Sequence, residues 1–350
     1  MKIFSFCLVV LVLMASAKSY SQSIDITDKI INIGKPTEAR FPSGHSVFAR
    51  NVWDLKSYKN RLYIGSGDSV KNAGPIDIWS YNPTSEKFKN EFTVPDEEIR
   101  SFKVLNGALV VPGIDPKGPW DLGNFYQLKD GVWKTIRNIF NGIHNLDMTI
   151  FGGILYAGLG TAYGAVVVVS EDHGKSWGTH HVRPSRRGFA RARSFFELEN
   201  ELYVSTTGRS GSQIYRLVGE TFLKDTRGFF PGGRRHDALI VTKFTKHRDR
   251  SIYIGAAVWA RDPKDIFVAR SSNDIVKIDL PERMVPRDIL SFNGKIFVLT
   301  HKFDRGDFIS SVSELVRSAN LKPLFHFRKK SFARSFEKIG EYFYFGLGSF

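Results

Sequence analysis

Cysteine is almost missing from this chain. The single thiol, Cys7, sits inside an apolar run from Ile3 to Met14, so a chain freed of that run has no thiol. Disulfides, Cys-ligated metals and thiol redox chemistry are thereby excluded. Past that run no stretch is long and apolar enough to cross a bilayer, and no membrane insertion is predicted. Acid is also in deficit, with 35 Asp and Glu against 50 Lys and Arg and a formal net charge of +15. Histidine pairs at metal-binding helical spacing are lacking, and the adjacent His180 and His181 of a strand point to opposite faces. No metal and no cofactor is predicted, although a metal site gathered from distant repeats, for instance His144, His236 and His301, is left open by the sequence.

The N-terminus has the parts of a secretory signal peptide: Lys2, the apolar run, then the small residues Ala15-Ser16-Ala17. Residues 1–17 are expected to be removed, with cleavage between 17 and 22, leaving one domain over 22–350. Cys7 is not at the cleavage point, so release is expected rather than lipid anchoring. Losing Lys2 lowers the formal charge of +15 only to +14. An exported, basic, monomeric protein calls for an anionic partner. Nucleic acid is a poor choice outside the cell, and an acidic polysaccharide is the expected one.

A repeat organises the rest. Seven segments read as two short strands around a tight turn, beginning with Trp53-Asp54-Leu55 leading to Leu62-Tyr63-Ile64. The first apolar residues of the second strands fall at 62, 109, 155, 202, 252, 296 and 343, at intervals of 44 to 50 residues. Short β-rich runs at that period are the mark of a four-stranded propeller blade. The expected fold is all-β, a seven-bladed β-propeller. In six repeats Asp or Ser stands eight positions before the anchor: Asp54, Ser101, Asp147, Ser194, Asp288 and Ser335. That position is expected to line the central channel. In the fifth repeat, Thr245 to Arg250 reads as a lengthened hairpin and Asp237 as the counterpart residue. The chain ends just after the second strand of repeat seven, so Ile24 to Phe41 is expected to supply that blade's outer strands and close the ring.

Ser170-Glu171-Asp172-His173-Gly174-Lys175-Ser176-Trp177 resembles the Asp-box of the sialidase-type (BNR) propellers. The resemblance implies a structural turn between outer strands, with Trp177 packed between blades and His173 a turn residue.

In a propeller, loops before the innermost strands share one face with those between second and third strands. On that face the sequence gathers Arg186 and Arg187, then Arg234, Arg235 and His236, then His326 to Lys330, predicting a positive funnel. The second-to-third loops add Asp115, Trp120, Tyr163, Arg209, Trp259, Arg261, His301 and Arg305. Aromatic rings stack on pyranose faces, and guanidinium groups take carboxylate or sulfate bidentately. Substrate binding is therefore expected from Arg209, Arg234, Arg235, His236, Trp120, Trp259 and His301.

His144, before the innermost strand of repeat three, and Tyr163, after its second strand, are the expected base and acid. A secreted, basic propeller with His, Tyr and Arg on one rim resembles the propeller lyases that cut ulvan and related acidic polysaccharides. That resemblance implies β-elimination on a uronate-containing, in some cases sulfated, polysaccharide. The alternative from the same residues is a non-catalytic propeller that binds anionic glycans.

Overall fold

The computed structural model describes residues 23–41, 47–185, 190–231, 239–257, 263–316 and 319–349. The expected signal peptide lies outside them. Among the described residues no helix is long and apolar enough to cross a membrane.

The fold is all-β, a β-propeller. Six sheets have four or more strands, and a seventh sheet has two. The innermost strands of the six blades are Asp54–Tyr58, Lys103–Leu105, His144–Phe151, Arg191–Leu198, Leu239–His247 and Val285–Phe292. The seventh repeat gives a hairpin, Phe332–Ile339 with Tyr342–Gly348, in place of a full blade. The expectation of seven full blades is corrected to six blades and this hairpin.

The N-terminal segment does not pair with the hairpin, as the sequence suggested. Ile24–Asp25 adds in parallel to the outer strand of blade six, Leu321–Lys329, with Ile24 opposite Phe325 and Asp25 opposite His326. From there it becomes a strap without a ladder. Ile26 and Ile30 pack on the cluster that contains Phe343 and Phe345 of the hairpin. Arg40 then reaches blade one, where its Nε and Nη2 donate to Asp77 at 2.8 and 2.9 Å, and Phe41 is buried in that blade's core. The hairpin itself meets blade one through Val52 N–H to the Leu347 carbonyl (3.1 Å) and Ser349 N–H to Asn51 Oδ1 (2.9 Å).

All seven inner hairpins turn by the same rule. A left-handed residue begins each turn: Lys59, Asn106, Gly152, Glu199, Arg248, Asn293 and Gly340, with φ between 46° and 58°. Five of these turns, Lys59-Asn60, Asn106-Gly107, Gly152-Gly153, Glu199-Asn200 and Asn293-Gly294, have positive φ at both positions, the geometry that matches strand twist in two-residue hairpins. Counting back five residues from each turn gives Asp54, Ser101, Asp147, Ser194, Lys243, Asp288 and Ser335.

Repeat five is therefore not lengthened, and its counterpart residue is Lys243. A bulge between Val241 and Lys243 matches those between Asn145 and Asp147, Ala192 and Ser194, Pro286 and Asp288, and Ala333 and Ser335. Asp237 lies outside the described residues. The sequence misled because the ring position changes from an acceptor to a cation, which shifted the apparent alignment.

These ring residues tie one repeat to the next. Asp54 accepts from Phe102 N–H (2.8 Å), Asp147 from Phe195 N–H (2.8 Å) and Asp288 from Phe336 N–H (3.2 Å). Ser194 donates to the Val241 carbonyl and Ser335 to the Val52 carbonyl. Between repeats the faces of the sheets bury apolar side chains, as where Met148, Leu155 and Ala157 of blade three meet Val110 and Phe125 of blade two.

The turn from Ser170 to Trp177 joins the outer strands Gly164–Ser170 and Gly178–Pro184 of blade three. Asp172 accepts from Ser170 Oγ (2.8 Å), Ser176 N–H (2.9 Å) and Ser176 Oγ (2.6 Å). These bonds hold its carboxyl well below the usual range. His173 is left-handed (φ 61°), and Trp177 donates to Asn138 Oδ1 of blade two at 3.0 Å while its ring meets Phe125 edge-on.

Candidate functional site at the channel mouth

Blade three carries two additional short strands on the face where innermost strands begin. Asp96–Glu98, from the connection into blade two, pairs with Ile114–Pro116, which pairs with the start of the innermost strand at His144. Backbone bonds pin this ribbon: Asp115 N–H to the Ile143 carbonyl (3.1 Å) and Asn145 N–H to the Gly113 carbonyl (3.0 Å). Asp115 is left-handed (φ 56°), and its carboxylate meets His144 Nδ1 in a short contact. The two side chains are 20% and 21% exposed. With Nδ1 donating to Asp115, Nε2 of His144 is the nitrogen left to take a proton.

A network behind the ribbon fixes it. Asp96 is fully buried and accepts from Tyr126 Oη (2.5 Å) and Asn124 Nδ2 (3.2 Å). Burial raises its carboxyl to about 6 against those two bonds, and the charge of Asp115 adds to the rise.

Arginines from repeats two and four gather near the pair. Arg100 forms a two-point bridge to Glu98, Nε to Oε1 at 3.2 Å and Nη2 to Oε2 at 2.8 Å. Arg193 donates from Nε to Thr207 Oγ1 at 3.2 Å and has no carboxylate within salt-bridge distance among the described residues. Burial, then the charges of Arg100 and Arg191, push its guanidinium down to about 10, with Glu98 opposing. Arg191 is also lowered by burial, and Asp115 works the other way. It lies across Gly160, where a Cβ would fall 2.1 Å from Arg191 Cδ, and Gly160 is the ladder partner of His144. The absent side chain at 160 is what lets the cation of blade four approach the histidine of blade three.

The other expected site residues divide. Tyr163 is at the tip between Ile154–Thr161 and Gly164–Ser170, on the same end of the blade as His144, and 62% exposed. No hydrogen bond joins it to His144; its N–H donates to Thr161 Oγ1 (3.0 Å). Trp120 is 61% exposed, and its Nε1 donates to the Pro116 carbonyl (3.2 Å) next to Asp115. Arg209 is exposed in the turn of blade four, whose next residues Ser210 and Gly211 accept from Arg183 (2.6 and 2.8 Å).

His301 is not on a loop. It pairs with Val285 inside strand Lys295–Asp304, buried, stacked on Phe332 at 4.3 Å, with Arg287 Nε donating to its Nδ1 (3.1 Å). Burial, then Arg287 and Arg334, lowers it to about 3, so it is neutral and structural in place.

Arg234, Arg235, His236, Trp259, Arg261, Arg186 and Arg187 lie outside the described residues. The described part of the expected positive funnel is mixed in sign, since Asp96, Glu97, Glu98 and Asp115 stand among the arginines. Among the described residues no three His, Cys, Asp or Glu side chains gather as metal ligands would. Sequence reading assigned no role to Arg100 and Arg193. The available signal was an Arg just before the ring position in four repeats: 100, 193, 287 and 334.

No protein-family model and no curated protein matches the chain. Among solved structures, a chain of a "Mitotic Checkpoint Complex" crystal structure aligns over 96% of this chain and 92% of its own, at 11% identity and TM-score 0.51. What the two share is the fold. YCF48 from Cyanidioschyzon merolae aligns over 85% of this chain and 93% of its own, at 8% identity and TM-score 0.49. One of two prolyl endopeptidases aligns over 79% of this chain and 42% of its own, at 8% identity and TM-score 0.49.

Proposed function

We propose that this chain is a secreted protein that binds an acidic polysaccharide at the channel mouth and cleaves it by β-elimination. The observation that carries the reading is the His144–Asp115 pair beside Arg191 and Arg193. A uronate carboxylate set against those guanidinium groups has its growing negative charge offset as the C5 proton leaves. Nε2 of His144 takes that proton, the C5–H electron pair forms the C4–C5 double bond, and the C4–O4 bond breaks. A proton from Tyr163 or from a water completes the departing hydroxyl. Within this reading the hairpin is the inner half of a seventh blade, and the Ser170–Trp177 turn is an Asp-box of the BNR type.

The exposure of Tyr163 and its lack of a bond to His144 favour a second reading, a propeller that binds anionic glycans without cutting them. Incubating the secreted protein with a panel of uronate polysaccharides separates the two. The lyase reading requires rising ultraviolet absorbance from the unsaturated uronate, lost in His144→Ala. Retention on the glycan with no absorbance change selects the binding reading.

A further inference from the structure

The opposite face of the ring has a cavity of about 220 Å³ between blades five and six. It lies where first and second strands turn, since its walls are the turn of blade five at His247, Arg248 and Arg250 and the turn of blade six at Gly294 and Lys295. His144 and Tyr163 stand at the other ends of their strands, so the two places are separate. Ile252 and Ile296 form part of its apolar floor.

The charges are unequal. Arg248, Arg250 and Lys295 are the basic lining residues besides His247, and Glu314 is the acid among them. Glu314 is engaged with Lys295 at 3.4 Å. Asp249 is 72% exposed, and its Oδ1 is 3.9 Å from Arg250 Nε. His247 is held below its ordinary value by burial and then by Arg248 and Arg250, with Asp249 opposing. A cavity this size is small beside the ~300–1,000 Å³ of drug-sized pockets and matches one small group.

We propose that this cavity binds a single tetrahedral oxyanion, a sulfate or phosphate group, held by Arg248 and Arg250 from blade five and Lys295 from blade six. The guanidinium forks and the ammonium supply directed donors, and the apolar floor excludes water from beneath the anion. The site is independent of the lyase or binding reading of the channel mouth.

Calorimetric titration of the full chain with inorganic sulfate and inorganic phosphate, against chloride at matched ionic strength, tests it. Galactose 6-sulfate against galactose forms the ester arm. Saturable binding of the free anions, or of the ester alone, supports the site and tells which source it serves. In Arg248→Ala and in Lys295→Ala the affinity should fall roughly tenfold or more. Lys224→Ala, at an exposed position of the outer strand Thr221–Asp225 of blade four, should leave it unchanged.

With sulfate, which does not itself titrate near pH 6, the bound anion should draw a proton onto His247, read as a dependence of the binding heat on the buffer's ionisation enthalpy. His247→Asn should remove that dependence. Absence of saturable heat in every arm, affinity unchanged in both cavity variants, or proton uptake that survives His247→Asn overturns the proposal.

Discussion

Lys243 Nζ of blade five lies 2.7 Å from Asp54 Oδ1 of blade one and 3.2 Å from Asp288 Oδ1 of blade six. One ammonium thus ties together repeats that are far apart in the chain. Burial works against the charged lysine, but the two carboxylates outweigh it and hold its pKa above the usual value. Burial raises Asp288 in turn, with Lys243 opposing.

Lys243→Met should lower unfolding free energy by about 2–4 kcal/mol, because it strands two buried carboxylates; the figure is reduced for the partial exposure of the lysine. Since the folded-state pKa is above 10.5, the lysine's contribution is fully present below that pH and is lost as pH rises further. Urea unfolding of both proteins should therefore give a constant difference through neutral pH and a narrowing one in strong alkali. An unchanged midpoint in the variant would remove Lys243 from the ring's stability.

Asp96 is also raised, but by burial that favours its neutral form rather than by partners of a charged one. Its carboxyl is raised to about 6, so its contribution is fully present below about 4 and is lost as pH rises through about 6. A shift of that size corresponds to about 3 kcal/mol. Asp96→Asn should be more sensitive than wild type at pH 4 and should close the gap by pH 7, read from urea midpoints across that range. Parallel midpoints at all pH values would show that this carboxyl does not titrate differently on folding.

Deleting residues 22–41 should destabilise the ring and promote aggregation. The loss includes the two-point Arg40–Asp77 bridge and the buried ring of Phe41, the latter alone worth about 1.5–3 kcal/mol. It also bares the outer strand of blade six. Thermal melting with light scattering checks this, and an identical melting curve would mean the strap is dispensable.

At the channel mouth, His144→Ala should cut lyase turnover by about 10²–10⁴ while leaving glycan retention nearly intact. Arg193→Ala should instead advance elution from an anionic glycan column, more so at low salt. Asp115→Asn should lower turnover by disturbing the imidazole it orients. Wild-type turnover in all three would place the chemistry elsewhere.

The repeat was legible because strand, turn and strand return at a steady spacing, and that spacing sufficed for an all-β propeller. Closure was not legible. Ile24–Asp25 and the Ile30 to Ile33 run have the composition of strands, yet only the first two residues pair, and nothing in composition distinguishes the edge of blade six from that of the hairpin. Lys243 was hidden by its chemistry, since a search for Asp or Ser passes over a lysine. His144 was placed at the correct end of its strand. Its partner Asp115 comes from a ribbon formed by two connecting segments that belong to other repeats, which the spacing within repeat three does not reveal. His301 was misplaced because the second strand of blade six runs on to Asp304 and keeps the histidine inside.

The ring residues alternate in polarity, yet that alternation is not what constrains how such a molecule can be rebuilt. An aspartate receives the amide of its neighbour, as at Asp54 and Asp147, whereas a serine offers its hydroxyl to a neighbouring carbonyl, as at Ser194 and Ser335. Either bond ends on a main-chain group of the next repeat, so a transplanted repeat brings its own seam contact and does not depend on the ring side chain that follows it. Blade shuffling or circular permutation in this scaffold is constrained instead at Lys243, whose ammonium needs Asp54 and Asp288 in their places.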